Sequence, residues 1–336
     1  MTLAGLKACA TSSRYRVAQG FRPVKPGRYR VAQGFSPAKP GRYCVAQGFS
    51  PAKPGLTLAI ALVLLEVAGG AQQSPAFTSK VEAVRVDVLV TDNGEAIRGL
   101  GPEDFELLDN GVPQQVELVS FDQIPLNVIL AIDMSDSVAG ERLDQLRAAG
   151  TGILAALKKE DQAALVTFSH AVELGARLTS DVATVRAAIG AAHGTGMTAL
   201  VDGTYAGLMV GESDAGRGLV IVFSDGVDTA SWLRADAVLD TAKRADVVVY
   251  GVSVVSRLKP EFLRDMTSFT GGRLFEIEKT ANLASTFLGI LDEFRHRYLV
   301  SYTPQGVAKD GWHKLDVRLR NRKATIKARP GYLAGS

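Results

Sequence analysis

The sequence predicts an α/β fold, doubly wound around a mostly parallel sheet and flanked by N- and C-terminal β segments. Three observations predict it. Near-continuous apolar runs, Leu126–Ile132 and Leu219–Phe223, read as parallel strands buried on both faces. Segments of helical period alternate with strands across residues 124–294, the pattern that right-handed crossovers produce. On either side, short alternating runs lie between Gly, Pro and Asn turns, as in antiparallel sheets.

The first 71 residues do not join that fold. Residues 14–55 are three 14-residue units, RYRVAQGFRPVKPG, RYRVAQGFSPAKPG and RYCVAQGFSPAKPG. Pro, Gly and basic residues cannot bury enough surface to fold, so residues 1–55 are expected to be disordered. One reading is a basic arm for anionic surfaces. The preferred one is a translated repeat upstream of the true start, although no Met lies between Met1 and Met134. Residues 56–71 follow, with Leu56–Leu65 apolar, Lys53 in front, and Gly69 and Ala71 behind. That is the layout of a secretory signal peptide, and it is shorter than the ~20 residues a spanning helix needs. An uncleaved anchor is the alternative. The expected mature protein has no membrane span and lies in the periplasm, at the cell surface or outside the cell.

Charge and cysteine content then exclude whole classes. Residues 1–55 hold ten Lys/Arg and no acid, so of 38 basic and 35 acidic residues, 28 and 34 lie beyond residue 71, a net charge of −6. That leaves no electrostatic case for nucleic acid. Both cysteines, Cys9 and Cys44, lie in the same leading stretch. A disulfide framework and a cysteine zinc site are thereby ruled out for the body.

Within 80–122, Val84, Val86, Val88 and Val90 alternate with Arg85, Asp87, Leu89 and Thr91, the period of a half-buried strand. Asp92-Asn93-Gly94 and Asp109-Asn110-Gly111 read as turns, since their spacing lacks the distal Glu of a calcium loop. In 124–294, Leu143, Leu146, Ile153, Leu154 and Leu157 mark one helix face. Residues 163–168 read as a strand, 181–192 and 198–211 as helices, 247–255 as a strand, and 234–245 and 260–269 as helices. A short strand near 274–276 precedes a last helix whose inner stripe is expected to be Leu283, Phe287, Leu288, Leu291 and Phe294. Residues 296–333 return to β, with strands at 298–302, 313–319 and 324–328, and are expected to pair with the N-terminal β segment, since neither makes a sheet alone.

Two of the parallel strands end on an aspartate, Asp133 and Asp225. The first runs on as Asp133-Met134-Ser135-Asp136-Ser137, and Gly194-Thr195-Gly196-Met197-Thr198 lies between. Ligands bind beyond the carboxyl ends of such strands, and carboxylates with hydroxyls form the all-oxygen set a hard cation prefers. This Asp-x-Ser-x-Ser, a Thr some 60 residues on and a later strand-ending Asp resemble the von Willebrand factor A domain. There the matching residues form a metal-ion-dependent adhesion site: Asp133, Ser135, Ser137, Thr198 and Asp225 in this chain. The resemblance implies that the serines and Thr198 bind Mg2+ (or Mn2+ or Ca2+) directly, and the aspartates directly or through water. It also implies that the last helix, 280–294, shifts with occupancy. Asp136 stands where the family commonly has Gly; it and Asp202, one helical turn after Thr198, are candidates for supporting the site from behind. The segment 99–114 and the closing Arg329-Pro330-Gly331-Tyr332 resemble a group of exported bacterial proteins, known mainly from Acidobacteria, that carry this domain.

The expected function is an exported, non-enzymatic adhesion module that captures a protein or glycan ligand through an acidic group bridged by the metal. A structural envelope scaffold with a degenerate site is the alternative. A metal-dependent hydrolase ranks third, with only Asp136 or Asp202 to act as base. Four scattered histidines and the absence of a nucleophile motif supply no other machinery.

Overall fold

The computed structural model describes residues 83–121, 124–212, 216–225 and 227–335. The repeats of 1–55 and the apolar stretch 56–71 lie outside the described residues. The described chain enters through β1 (Val84–Asp92), which turns Val86, Val88 and Val90 inward. Both Asn-Gly pairs make tight turns. Asn93 and Gly94 have φ of 51° and 89°, and Asn110 and Gly111 of 48° and 82°, the left-handed pair that matches hairpin twist. They join β1 to β2 (Glu95–Ala96) and β3 (Phe105–Asp109) to β4 (Val112–Gln114), before β5 (Val116–Phe121).

The α/β unit follows as β6 (Leu126–Asp133), α1 (Glu141–Ala155), β7 (Gln162–Phe168), β8 (Val172–Thr179), α2 (Val182–Ala191) and α3 (Leu200–Gly211). It continues with β9 (Arg217–Ser224), α4 (Ala235–Ala242), β10 (Val247–Val254), α5 (Glu261–Phe269), β11 (Leu274–Ile277) and α6 (Leu283–Arg295). The sheet order is β11-β10-β9-β6-β7-β8. All neighbours are parallel except β7 and β8. β8 has no signature in the sequence, because this edge strand exposes Glu173, Leu174 and Gly175 in a row and its apolar alternation is lost.

β6 is buried along its whole length. Val128, Leu130 and Ile132 face a layer built by α1, α2 and α6, while Ile129 and Ala131 face α3, α4 and α5. Two covered faces explain the unbroken apolar run. On α6 the inward set is Leu283, Phe287, Ile290, Leu291 and Phe294. Leu288, expected inside, is 40% exposed, because a step of one residue from Phe287 turns about 100° around the helix. Glycines bring α3 onto the sheet: a Cβ at Gly203 would stand 2.3 Å from the Phe168 ring. This close approach sets the loop ahead of α3 against the strand ends.

The closing strands are β12 (Arg297–Tyr302), β13 (Gly311–Leu319), β14 (Thr325–Lys327) and β15 (Gly331–Ala334). β12 lies between β1 and β5, β14 pairs with β1, and β13 lies between β3 and β15. The N- and C-terminal β segments are therefore interleaved, as neither could be stable alone. They meet the α/β unit at the amino ends of its strands. There Arg217 of β9 pairs with Asp87, and Arg329 Nη2 and Leu333 N donate to Lys243 O at 2.9 and 3.0 Å.

Inside the β segments sits a buried polar cluster. Asp109, wholly buried, accepts from Tyr302 at 2.8 Å, Tyr332 at 3.0 Å and His313 Nδ1 at 2.8 Å. Burial, and then the hydrogen bond to Asp109, push the Tyr332 hydroxyl up to about 12 against the pull of Tyr302. Burial pushes Tyr302 up as well, with Tyr332 and Asp109 adding to it. Unfolded tyrosines ionise near pH 10, so between pH 10 and about 12 the unfolded chain sheds protons that the fold retains. Stability should be intact below pH 10 and fall as pH rises through that window. Denaturation midpoints against pH measure this, and replacing both tyrosines by phenylalanine should flatten the alkaline decline.

Candidate metal centre

At the carboxyl ends of β6 and β9, three loops converge. β6 delivers Asp133, which is fully buried; its Oδ1 accepts from Ser135 N at 2.9 Å and its Oδ2 from Ser224 Oγ at 2.6 Å. Burial pushes this carboxyl above the usual range, the Ser224 and Ser135 hydrogen bonds oppose that, and the Asp225 charge adds to it. A carboxylate so placed is short of positive charge, a deficit a cation would relieve.

From Asp133 the chain turns through a short 3-10 segment, Asp136–Val138. Ser135 Oγ stands 3.0 Å from Ser137 Oγ, and Ser137 Oγ donates to Asp225 Oδ1 at 2.6 Å. Adjacent ligands of an octahedral ion with bonds near 2.1 Å stand roughly 2.9 Å apart. Hard, largely neutral oxygens of this kind suit a hard divalent cation.

Thr198 is buried at the same loops, but no side-chain hydrogen bond joins it to the others among the described residues. Its backbone is tied instead: its N–H donates to Thr229 Oγ1 at 3.1 Å, and its carbonyl accepts from Thr229 N and Ala230 N at 2.8 and 3.0 Å. Two residues earlier, Gly196 exchanges hydrogen bonds with Asp136, donating to Oδ1 at 2.8 Å and accepting from N at 3.0 Å. Gly196 holds φ of 80°, where a side chain would be strained and would strike His170. The Gly-Thr-Gly stretch is thus laced to the serine loop.

Asp136 and Asp202 have structural partners. Asp136 clamps Gly196, and Asp202 accepts from Trp232 N and Leu233 N, both at 2.9 Å. Asp228 caps the start of α3 through Val201 N at 3.2 Å. Among the described residues no three His, Cys, Asp or Glu side chains gather as a metal-binding group, so any cation here depends on hydroxyls.

One participant went unnoticed in the sequence. Arg142 Nη1 lies 2.5 Å from Asp225 Oδ2 and donates to Ser137 O at 3.2 Å. The signal was available. Arginine in the first turn of α1 opposes the helix dipole, which points to an anion nearby.

These features describe a doubly wound α/β unit with an oxygen cluster at the carboxyl ends of its strands, joined to interleaved β segments. Residues 127–288 match the family model described as von Willebrand factor type A domain, and domains of this type typically act as non-enzymatic binding modules. No curated protein matches the sequence. Among solved structures, a von Willebrand factor type A protein from Catenulispora acidiphila is 13% identical, with 73% of this chain and 75% of that one covered at a TM-score of 0.47. Proximal thread matrix protein 1 of the mussel byssus, with a zinc-occupied adhesion motif, is 16% identical over 55% of this chain and 49% of its own, TM-score 0.47. The von Willebrand factor domain of a type V pilus tip protein from Porphyromonas gingivalis is 15% identical over 50% and 94%, TM-score 0.42.

Proposed function

We propose that the protein is an exported binding module that captures a protein partner through a divalent cation, Mg2+ first, held by Asp133, Ser135, Ser137, Thr198 and Asp225. The observation that carries this is the convergence of the Ser135, Ser137 and Asp225 oxygens, linked at 3.0 and 2.6 Å, beside the buried Asp133 at the strand ends. When bound, the cation supplies an acceptor for a ligand carboxylate. Neutral hydroxyls leave its charge largely unspent, so an incoming acid gains a strong charge-assisted contact. Export is supported by the apolar stretch 56–71, and the thiol-free body is compatible with an oxidising compartment. The resemblance of segment 99–114 and the closing residues to exported bacterial proteins agrees with it. Among the described residues no helix is long and apolar enough to cross a membrane.

Calorimetric titration with MgCl2, followed by acetylated aspartyl and asparaginyl peptides, tests the proposal. Heat of Mg2+ binding, and aspartyl binding only in its presence, is the expected result. No binding of Mg2+, Mn2+ or Ca2+ at millimolar concentration would overturn it.

Arg142 makes a separate prediction. Its guanidinium and a cation draw on the same carboxylate, and half of the side chain is exposed, which discounts the repulsion. Arg142→Gln should tighten Mg2+ binding about five- to tenfold, read by the same titration. Weaker binding in that variant would mean that the guanidinium instead holds Asp225 in place for the ion.

A further inference from the structure

The loops bounding the oxygen cluster also carry exposed apolar side chains. Met197 precedes Thr198, Val227 follows Asp225 by two positions, and Trp232 and Leu233 end the same loop. Trp232 is 92% exposed and Met197 58%, with Val227 and Leu233 at 45% and 41%. Water-exposed tryptophan on an ordered loop is uncommon, and this loop is pinned. Thr229 N and Ala230 N bond to Thr198 O, Ser231 Oγ accepts from Val201 N, and Asp202 takes the N–H groups of Trp232 and Leu233. The indole is therefore presented on backbone already fixed, so little ordering entropy is lost when a partner covers it.

We infer that these four side chains form an apolar shelf beside the cation site, and that the partner is a protein segment carrying an acidic residue next to an apolar one. The inference rests on the proposed function and narrows its ligand. The acid would go to the metal. The neighbouring apolar side chain would cover Trp232 and Met197, residue types enriched in interface cores.

The test pans a random heptapeptide display library on the full chain in MgCl2 and in EDTA, with Mg2+ binding checked separately by calorimetry. Enriched peptides should pair Asp or Glu with an aromatic or aliphatic residue within two positions. The best synthetic peptide should lose about tenfold or more in affinity on Trp232→Ser or Met197→Ser, with Mg2+ affinity and melting temperature unchanged. Acid-bearing peptides with no apolar preference, or affinity unmoved by both variants, would overturn the shelf and leave metal-bridged capture standing. Failure to bind Mg2+ would remove that capture and the shelf with it. Chelator-resistant binding to anionic lipid vesicles, lost in Trp232→Ser, would overturn the protein partner in favour of a membrane surface.

Discussion

Asp133→Asn should abolish the rise in melting temperature that Mg2+ gives the wild-type protein, while leaving the chain folded. The carboxylate is wholly buried at the end of β6 and is already served by Ser135 N and Ser224 Oγ. An amide has nearly the same shape, so the loop keeps its course, but the charge that attracts the cation is gone. At a hundred times the dissociation constant a bound ion adds about 2.7 kcal/mol, or about 5–10 °C for a domain of this size. In chelator the variant should be at least as stable as wild type at neutral pH. Burial holds the folded carboxyl above its ordinary value, so ionising it costs the fold something that asparagine does not. Melting curves of both proteins in MgCl2 and EDTA decide the matter. An unchanged metal response in the variant would remove Asp133 from the site.

Asp109→Ala is expected to do the opposite: a large loss of stability with the metal response intact. Its two oxygens receive Tyr302, Tyr332 and His313 within a core that excludes water. Removing the acceptor strands three donors, and breaking such a buried group costs about 3–5 kcal/mol. The cluster belongs to β3, β12, β13 and β15, none of which carries a residue of the metal centre. Chemical denaturation should therefore show the loss, and the Mg2+-induced rise in melting temperature should persist in whatever fraction folds. A variant as stable as wild type would mean that the tyrosines and His313 find other partners.

The contrast between these aspartates shows what could be read from residues alone. The α/β core was legible because burial on two faces leaves an unbroken apolar run, as in β6 and β9. Asp133, Ser135, Ser137 and Asp225 were legible as neighbours because hydroxyls and acids at strand ends have few structural reasons to occur together, and hydrogen bonds do link them. Asp109 was not, because Asp-Asn-Gly is a turn signal whether or not its first residue is buried. Nothing local marks Tyr302 and His313, about 200 residues away, as its partners. β8 was not legible because an edge strand needs only one covered face, and the exposure of Leu288 follows from helical phase, not from its apolarity. Arg142 is marked only by standing at the positive end of a helix, where a cation is unfavourable.

The interleaving of the terminal β segments has a mechanical consequence. β1 runs antiparallel to β12, with Val84 opposite Tyr302 and Leu89 opposite Arg297. Tension applied at Val84 and resisted through α6 enters and leaves the ladder at opposite ends. It would slide the two strands along each other and load all their rungs together, instead of peeling them one by one. Load entering at Val84 thus meets this ladder in shear, at the end of the α/β unit opposite its oxygen-lined loops.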